Sequence, residues 1–356
     1  MGVGLLWYNE LVLLFTGGRS CLRLMRRWQF WVGSATSVLF LYLALREVDV
    51  AAAWQYVRTA RWEALFLGWL CLALSYIVRA WRWRAIISSV QPMPRWTVGK
   101  VYMTGLMANN LLPARIGEVV RAYLLGQTAQ IHTAAALGTI AVERAFDVIV
   151  ALSFLVVGAA LGVLRGLGSA VWFGAALVGG LVTGLAALAV WGDWLSDLAA
   201  RLVGRVSQER GERLAGMGHS YVAGLRSIGS LSRALQIALW SLGAWALFAG
   251  YAAFVLRAYG LRISLPGALF LLGVGGMGVS IPSAPGNVGT LEGAYMLALQ
   301  LLGVGDSNAR ASFALTYHVL EWVTTCSIGF VCLGQLGLSV GQLSRMGRGL
   351  EPQDST

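Results

Sequence analysis

Charged residues are scarce in this 356-residue chain. They make up 12% of it, against about a quarter in a soluble domain. No polar stretch exceeds roughly forty residues, too few for an independent soluble domain. Lysine is almost missing: Lys100 stands alone, so the net charge of +11 rests on arginine. The basic residues are split among short loops, not gathered into one patch. That excludes a nucleic-acid interface and fits the positive bias of cytoplasmic membrane loops. The four cysteines, Cys21, Cys71, Cys326 and Cys332, lack metal-ligand or CxxC spacing. Gly273, Gly275, Gly276 and Gly278 are not followed by a P-loop lysine and read as close helix-packing points. No cofactor or metal is expected. A signal peptide is not expected either, because Asn9 and Glu10 interrupt the first apolar run and the arginines follow it.

What is abundant is apolar: 57% of the residues are hydrophobic, and mean hydropathy is +0.68. The apolar segments are continuous rather than alternating, which excludes a β-barrel. The expected fold is an all-α polytopic integral membrane protein, with six full spans plus two re-entrant helical hairpins. The spans fall at 29–45, 62–78, 133–164, 166–191, 234–256 and 309–333, and the hairpins at 96–126 and 265–302. A cytoplasmic segment 1–28, a single membrane domain 29–340 and a cytoplasmic tail 341–356 complete the plan. An amphipathic linker, 193–233, is expected on the cytoplasmic membrane surface. The protein belongs on this reading in the plasma (inner) membrane of a prokaryote, with both termini cytoplasmic. The arginines at 79, 82 and 84, with Trp81 and Trp83, suit a headgroup layer.

Within each hairpin lies one copy of a repeated motif. Pro113, Gly117, Ala122, Tyr123 and Leu125 recur, without a gap, as Pro285, Gly289, Ala294, Tyr295 and Leu297. Pro and Gly break helices, and a broken helix at membrane depth is tolerated only where it packs in protein or lines a wet cavity. Paired interruptions in two halves point to a transport site. The same offset maps span 62–78 onto 234–250 and the segment 133–162 onto 305–334, giving repeat units of about 62–164 and 234–334. Opposite entry sides make this an inverted-topology repeat.

Charges inside spans need a partner or a task. Around the first break stand Asn109, Asn110, Arg115, Glu118 and Arg121, with Arg144 on the following span. The helix that resumes after Pro113 points its N-terminus at the break, where unpaired N–H groups and the helix dipole attract an anion. Around the second break stand Ser283, Asn287 and Glu292, with Thr290. These residues form the expected substrate-binding set. Glu118 and Arg121, three apart, are placed to pair on one helix face. Glu143 and Asp147 share a face one turn apart and are read as coupling groups, as ion-pair partners of Arg121 or Arg115, or as an acid–base pair. His318 and Glu321, three apart, occupy the corresponding stretch of the second unit and are read as coupling groups too, with a neutral His318 bonded to Glu321 as the structural alternative.

The run Asn109 to Arg121, then Glu143-Arg144-Ala-Phe-Asp147, then Ile281 to Gly289, resembles the flippase-like membrane region of the lysylphosphatidylglycerol synthases. The likeness covers nearly the whole chain, about 29–338. It implies translocation of a phospholipid or lipid-linked group between leaflets of a bacterial or archaeal membrane. In the synthases a soluble aminoacyl-transferase domain follows. The chain carries none within its 356 residues and is expected not to make lysyl lipid. Asn287 departs from the small residue expected there, a change that a left-handed turn tolerates.

The leading reading is a lipid translocase, expected not to be an enzyme. Its headgroup pocket lies between two hairpins and takes a phospholipid or a polyprenyl-phosphate-linked lipid. An intramembrane transferase acting on a lipid phosphate and a non-transporting scaffold of an envelope glycolipid pathway stay open beside it. The partner expected is a membrane lipid substrate, with envelope glycosyltransferases as candidates.

Overall fold

In the computed structural model, residues 31, 34–112, 116–129, 131–163, 168–205, 208–226, 230–281 and 283–339 are described. Every regular element among them is helical. In chain order these are α1 (Ser34–Leu45), α2 (Val50–Thr59), α3 (Trp62–Ile87), α4 (Arg95–Leu111), α5 (Gly117–Ala129) and α6 (Thr133–Gly158), which ends in a π turn, Ala159–Val163. Then come α7 (Gly168–Gly204), α8 (Gln208–Leu225), α9 (Leu231–Ala258), α10 (Leu265–Ser280), a 3-10 turn (Pro285–Asn287), α11 (Thr290–Leu301) and α12 (Ser307–Gln335).

Local chemistry sets these ends. The Ser264 hydroxyl accepts from the Gly267 N–H at the start of α10, and the Ser230 hydroxyl accepts from Arg233 at the start of α9. Each supplies a partner to one of the orphan donors of a first turn. Asp49 caps α2 and Asp306 caps α12. The two starts are tied together, because the Tyr56 hydroxyl donates to Asp306 at 2.8 Å and the Asp49 N–H donates to the Asn308 side chain at 2.8 Å. The Ala309 N–H and then the Tyr56 hydroxyl hold the Asp306 carboxyl below the usual carboxylate range. This stabilisation is complete above the unfolded-state pKa and is lost as pH falls through the folded one. Asp306→Ala is expected to cost about 1 kcal/mol near neutral pH, and less in acid, in equilibrium unfolding in micelles.

The element order repeats. The series α3, α4, α5, α6 is matched by α9, α10, α11, α12, with lengths of 26, 17, 13 and 26 residues against 28, 16, 12 and 29. Packing is reciprocal. Helix α3 lies along α9, α6 packs on α10, and α12 packs on α4, while α4 pairs with α5 and α10 with α11. Each unit thus lends its last long helix to the hairpin of the other. The glycines of α10 permit this closeness: Gly273 faces the Leu155 backbone, Gly275 the Tyr295 ring and Gly276 Ala151.

Large apolar side chains face outward on α3 (Phe66, Leu70, Leu74, Ile77), α9 (Leu235, Leu239, Leu242) and α12 (Val319, Val323, Phe330). Charged side chains sit inside: Arg82, Arg121 and Glu143 have no exposure at all. Apolar outside and charged inside is the pattern of a membrane-embedded bundle.

Two helices among the described residues, Trp62–Ile87 and Leu231–Ala258, are long and apolar enough to cross a membrane, and the pair Trp172–Leu188 and Val190–Gly204, bent by 66°, would make a third. Six such spans are not counted. Helix α6 has the length, but Glu143, Arg144 and Asp147 lie within it. The first described helix, Ser34–Leu45, is short. The linker segment is helical and in contact with the membrane helices. Helix α8 packs against α6 and α7, where Gly138 of α6 meets the Tyr221 carbonyl and Gly224.

Candidate functional site

Helix α3 runs nine residues beyond the expected end of its span, through Ile87. This extension carries Arg82 into the interior. Arg82 grips Asp147 with two bonds, Nη1 to Oδ1 at 2.7 Å and Nη2 to Oδ2 at 3.1 Å. It also reaches Glu143 at 3.3 Å and the Ser241 hydroxyl at 3.1 Å. The other Glu143 oxygen accepts from Arg121. Arg144 closes the group, 3.3 Å from Glu143 and 3.4 Å from Glu118. Three guanidiniums meet three carboxylates, so the cluster is neutral. That balance is what lets α6 carry three charges in an apolar environment, since a buried charge is tolerated when it is paired and hydrogen-bonded.

Arg121 is further held between two aromatic faces, 4.0 Å from the Trp83 ring centre and 4.5 Å from that of Tyr102. The arms α4 and α5 cross where Gly105 faces Gly117. A β-carbon on Gly117 would lie 2.0 Å from the Gly105 carbonyl and 2.5 Å from the Asn109 amide oxygen. Only this close crossing brings Arg121 under α4.

The second break is built differently. Gly286 and Gly289 have φ of 74° and 87°, and Asn287, at 60°, takes the left-handed turn expected of it. Glu292 reaches back to the Gly289 N–H at 2.8 Å, satisfying the first turn of α11. Its other oxygen lies 2.7 Å from His318 Nδ1, and His318 Nε2 lies 2.7 Å from the Gly286 carbonyl. Ser283 bonds the Asn287 side chain at 3.3 Å, and Thr290 bonds the Asn287 carbonyl. Helix α1 seats on this break, the Ser37 hydroxyl accepting from Ala284. The two breaks meet: the Asn110 carbonyl would stand 3.4 Å from a β-carbon on Gly286.

Several expected pairings are replaced. Glu118 turns to Arg144 rather than to Arg121 on its own helix. His318 turns to Glu292 rather than to Glu321. Of the arginine and tryptophan cluster, Arg82 and Trp83 are buried inside the bundle while Trp81 is exposed. Arg115 lies outside the described residues. The Asn109 amide oxygen is buried and has no hydrogen-bond partner among the described residues. Glu321 is half-buried on α12.

Sequence reasoning missed two residues. One is Arg82. The other is Arg79, whose guanidinium lies 4.3 Å from the Phe248 ring centre and whose Nε has no hydrogen-bond partner among the described residues. The available signal was their three-residue spacing, followed by the apolar Ile86 and Ile87, which marks one face of a continuing helix.

The chain is similar to known proteins of archaea. It is 26% identical over 363 residues to Glycosyltransferase AglD of Haloferax volcanii, with 89% of this chain and 56% of the relative covered. It thus spans about half the length of that relative. It is 21% identical over 226 residues to the UPF0104 membrane protein MJ1078 of Methanocaldococcus jannaschii, covering 64% of this chain and 92% of the relative. The first match corrects the expectation that the chain is not an enzyme, since a relative aligned with most of it is named a glycosyltransferase. That expectation rested on seeing neither a nucleophile beside a base nor a metal set in the sequence. Residues 30–329 match the model of the lysylphosphatidylglycerol synthase TM region, and the chain belongs to that family of membrane proteins.

Proposed function

We propose that this protein binds the phosphate-bearing headgroup of a membrane lipid between its two broken helices and carries it from one leaflet to the other. The lipid is a phospholipid or a polyprenyl-phosphate-linked lipid. The observation that carries the reading is the meeting of the two breaks, Asn110 against Gly286; the helix that resumes after the first break also pairs with a cation that is not fully enclosed. Arg144 keeps 34% of its side chain exposed and pairs with Glu118 in the first turn of α5. A phosphate there would meet the N–H groups of a helix start and a forked guanidinium. Arg79, whose Nε has no partner among the described residues, offers a second cation on α3. The two hairpins enter the bilayer from opposite sides as re-entrant loops, and the reciprocal packing of the units supports an inverted repeat. On this reading Asn109, Asn110 and Ser283 face the headgroup, and the apolar tails stay in the bilayer.

The test is protein-dependent movement of a fluorescent phospholipid and of a polyprenyl-phosphate analogue in liposomes. Wild type is expected to move at least one of them. Arg144→Gln is expected to slow that movement about tenfold, the loss of one charge-assisted hydrogen bond, and to lower stability as well, because it takes one cation from the balanced cluster, so unfolding is measured beside the flipping rate. Wild type that moves neither lipid would sink the reading.

A second reading follows from the Haloferax relative: the membrane region presents a lipid-linked sugar for transfer. The same liposomes, given a labelled polyprenyl-linked sugar and an acceptor, would then yield glycosylated product.

A further inference from the structure

His318 has both ring nitrogens occupied by oxygens, each at 2.7 Å. The Gly286 carbonyl has only lone pairs, so Nε2 must be the donor there. Nδ1 faces Glu292 Oε1, and two protonation patterns make that contact favourable. Either Nδ1 also carries a proton and donates to the carboxylate, or Glu292 is protonated and donates to Nδ1. In both patterns the pair holds one proton more than a neutral imidazole beside a carboxylate. Without that proton, lone pairs would face each other at hydrogen-bond distance. The other Glu292 oxygen is engaged with the Gly289 N–H and accepts there in either pattern.

From this we infer that the closed second break contains a proton-binding site shared by His318 and Glu292, and that this proton is the coupling ion of the lipid-translocation cycle. The coupling role rests on the translocation reading above; the proton site does not. The carboxylate links three parts: the first turn of α11, the ring on α12 and, through that ring, the Gly286 turn that touches Asn110. Loss of the proton removes the Nδ1 bond, frees Glu292 to swing from the cap, and loosens the point where the two breaks meet. The pair is nearly enclosed, with side-chain exposures of 8% and 5%. Glu321, one turn along α12, is the nearest further carboxylate acting on His318. Arg79 of α3 acts on Glu321 in turn, and Glu321 faces the phenols of Tyr295 and Tyr317. Helix α4 brings the uncharged Asn110 and α1 the Ser37 hydroxyl.

Hydrogen–deuterium exchange of the full chain in lipid nanodiscs tests the site without any flipping assay. Exchange of the peptide over 283–290 would be followed from about pH 5.5 to about pH 9.5 and corrected for intrinsic base catalysis. Wild type is expected to lose at least about tenfold in protection as the pair gives up its proton. Glu292→Gln is expected to remove that dependence, because a carboxamide N–H donates to neutral Nδ1 while its oxygen still caps Gly289. Protection that stays constant in wild type over the whole range would overturn the inference, as would an unchanged pH dependence in Glu292→Gln. If the variant does not fold, the wild-type profile alone decides. Liposomes with and without a proton gradient complete the test. A pH-dependent break in a protein that moves no lipid keeps the proton site and removes its coupling role. Gradient-independent flipping by wild type also removes that role.

Discussion

Glu143→Ala is expected to cost about 3–5 kcal/mol of stability, the scale of breaking a buried ion pair by removing one partner. Arg82 and Arg121 both bond this carboxylate and neither has any exposure. Arginine does not shed its proton in proteins, so the variant leaves two enclosed cations with one carboxylate fewer. Asp147 still holds Arg82, but among the described residues Arg121 keeps only its aromatic neighbours. A smaller loss is expected for Glu143→Gln, which preserves volume and an acceptor. Adding Arg121→Met to Glu143→Ala should recover part of the loss, since the two residues are directly coupled. Equilibrium unfolding in mixed micelles reads all three. A Glu143→Ala protein as stable as wild type would mean that the cluster does not hold the bundle together.

Gly117→Val is expected to cost about 3 kcal/mol, the upper end for overpacking a filled site. The added β-carbon would sit 2.0 Å from the Gly105 carbonyl. A carbonyl of a helix backbone cannot turn aside as a flexible side chain can, so α4 and α5 must part. Gly105→Ala should be nearly as harmful, because its β-carbon would lie 2.0 Å from Arg121 Cγ and would push the guanidinium off Glu143. Gly99 provides the control on the same helix. Nothing lies within 4 Å of a β-carbon there, and Gly99→Ala is expected to stabilise by about 0.5–1 kcal/mol through helix propensity. Similar losses at all three positions would point to a general intolerance of α4 rather than to one crossing.

The functional consequence of these two features is shared. The crossing of α4 and α5 places Arg121 under Trp83, and the ion cluster fixes α6, so Arg144 stands at the start of α5. A bundle that loosened there would lose the position of that cation before it lost its helices.

Much of the architecture was legible in the residues. Continuous apolar segments announced a helical membrane protein, because a chain in lipid must satisfy its backbone within each segment. The breaks at Pro113 and near Pro285 and the offset between them gave two units whose helices recur in the same order. Both hairpin arms fell within a few residues of their expected bounds. The bond between Glu143 and Arg121 was also among the pairings considered, since each needed a partner inside the bundle.

Partner choice was the part that sequence left open. Spacing tells which residues share a helix face, but not which helix that face meets. Glu118 and Arg121 satisfy the three-residue rule, yet Arg121 is drawn under α4 by the Gly105 contact, and Glu118 is left to Arg144. His318 and Glu321 satisfy the same rule, yet the cap of α11 holds Glu292 in place, and a fixed carboxylate costs less to engage than a free one. Arg82 was assigned to the interface because its span was taken to end at Val78. Composition alone thus determined the class, and periodic breaks determined the repeat. The buried ion cluster and the His318–Glu292 pair were decided by tertiary packing, because side chains distant in sequence compete for the same charges and only the approach of helices settles that competition.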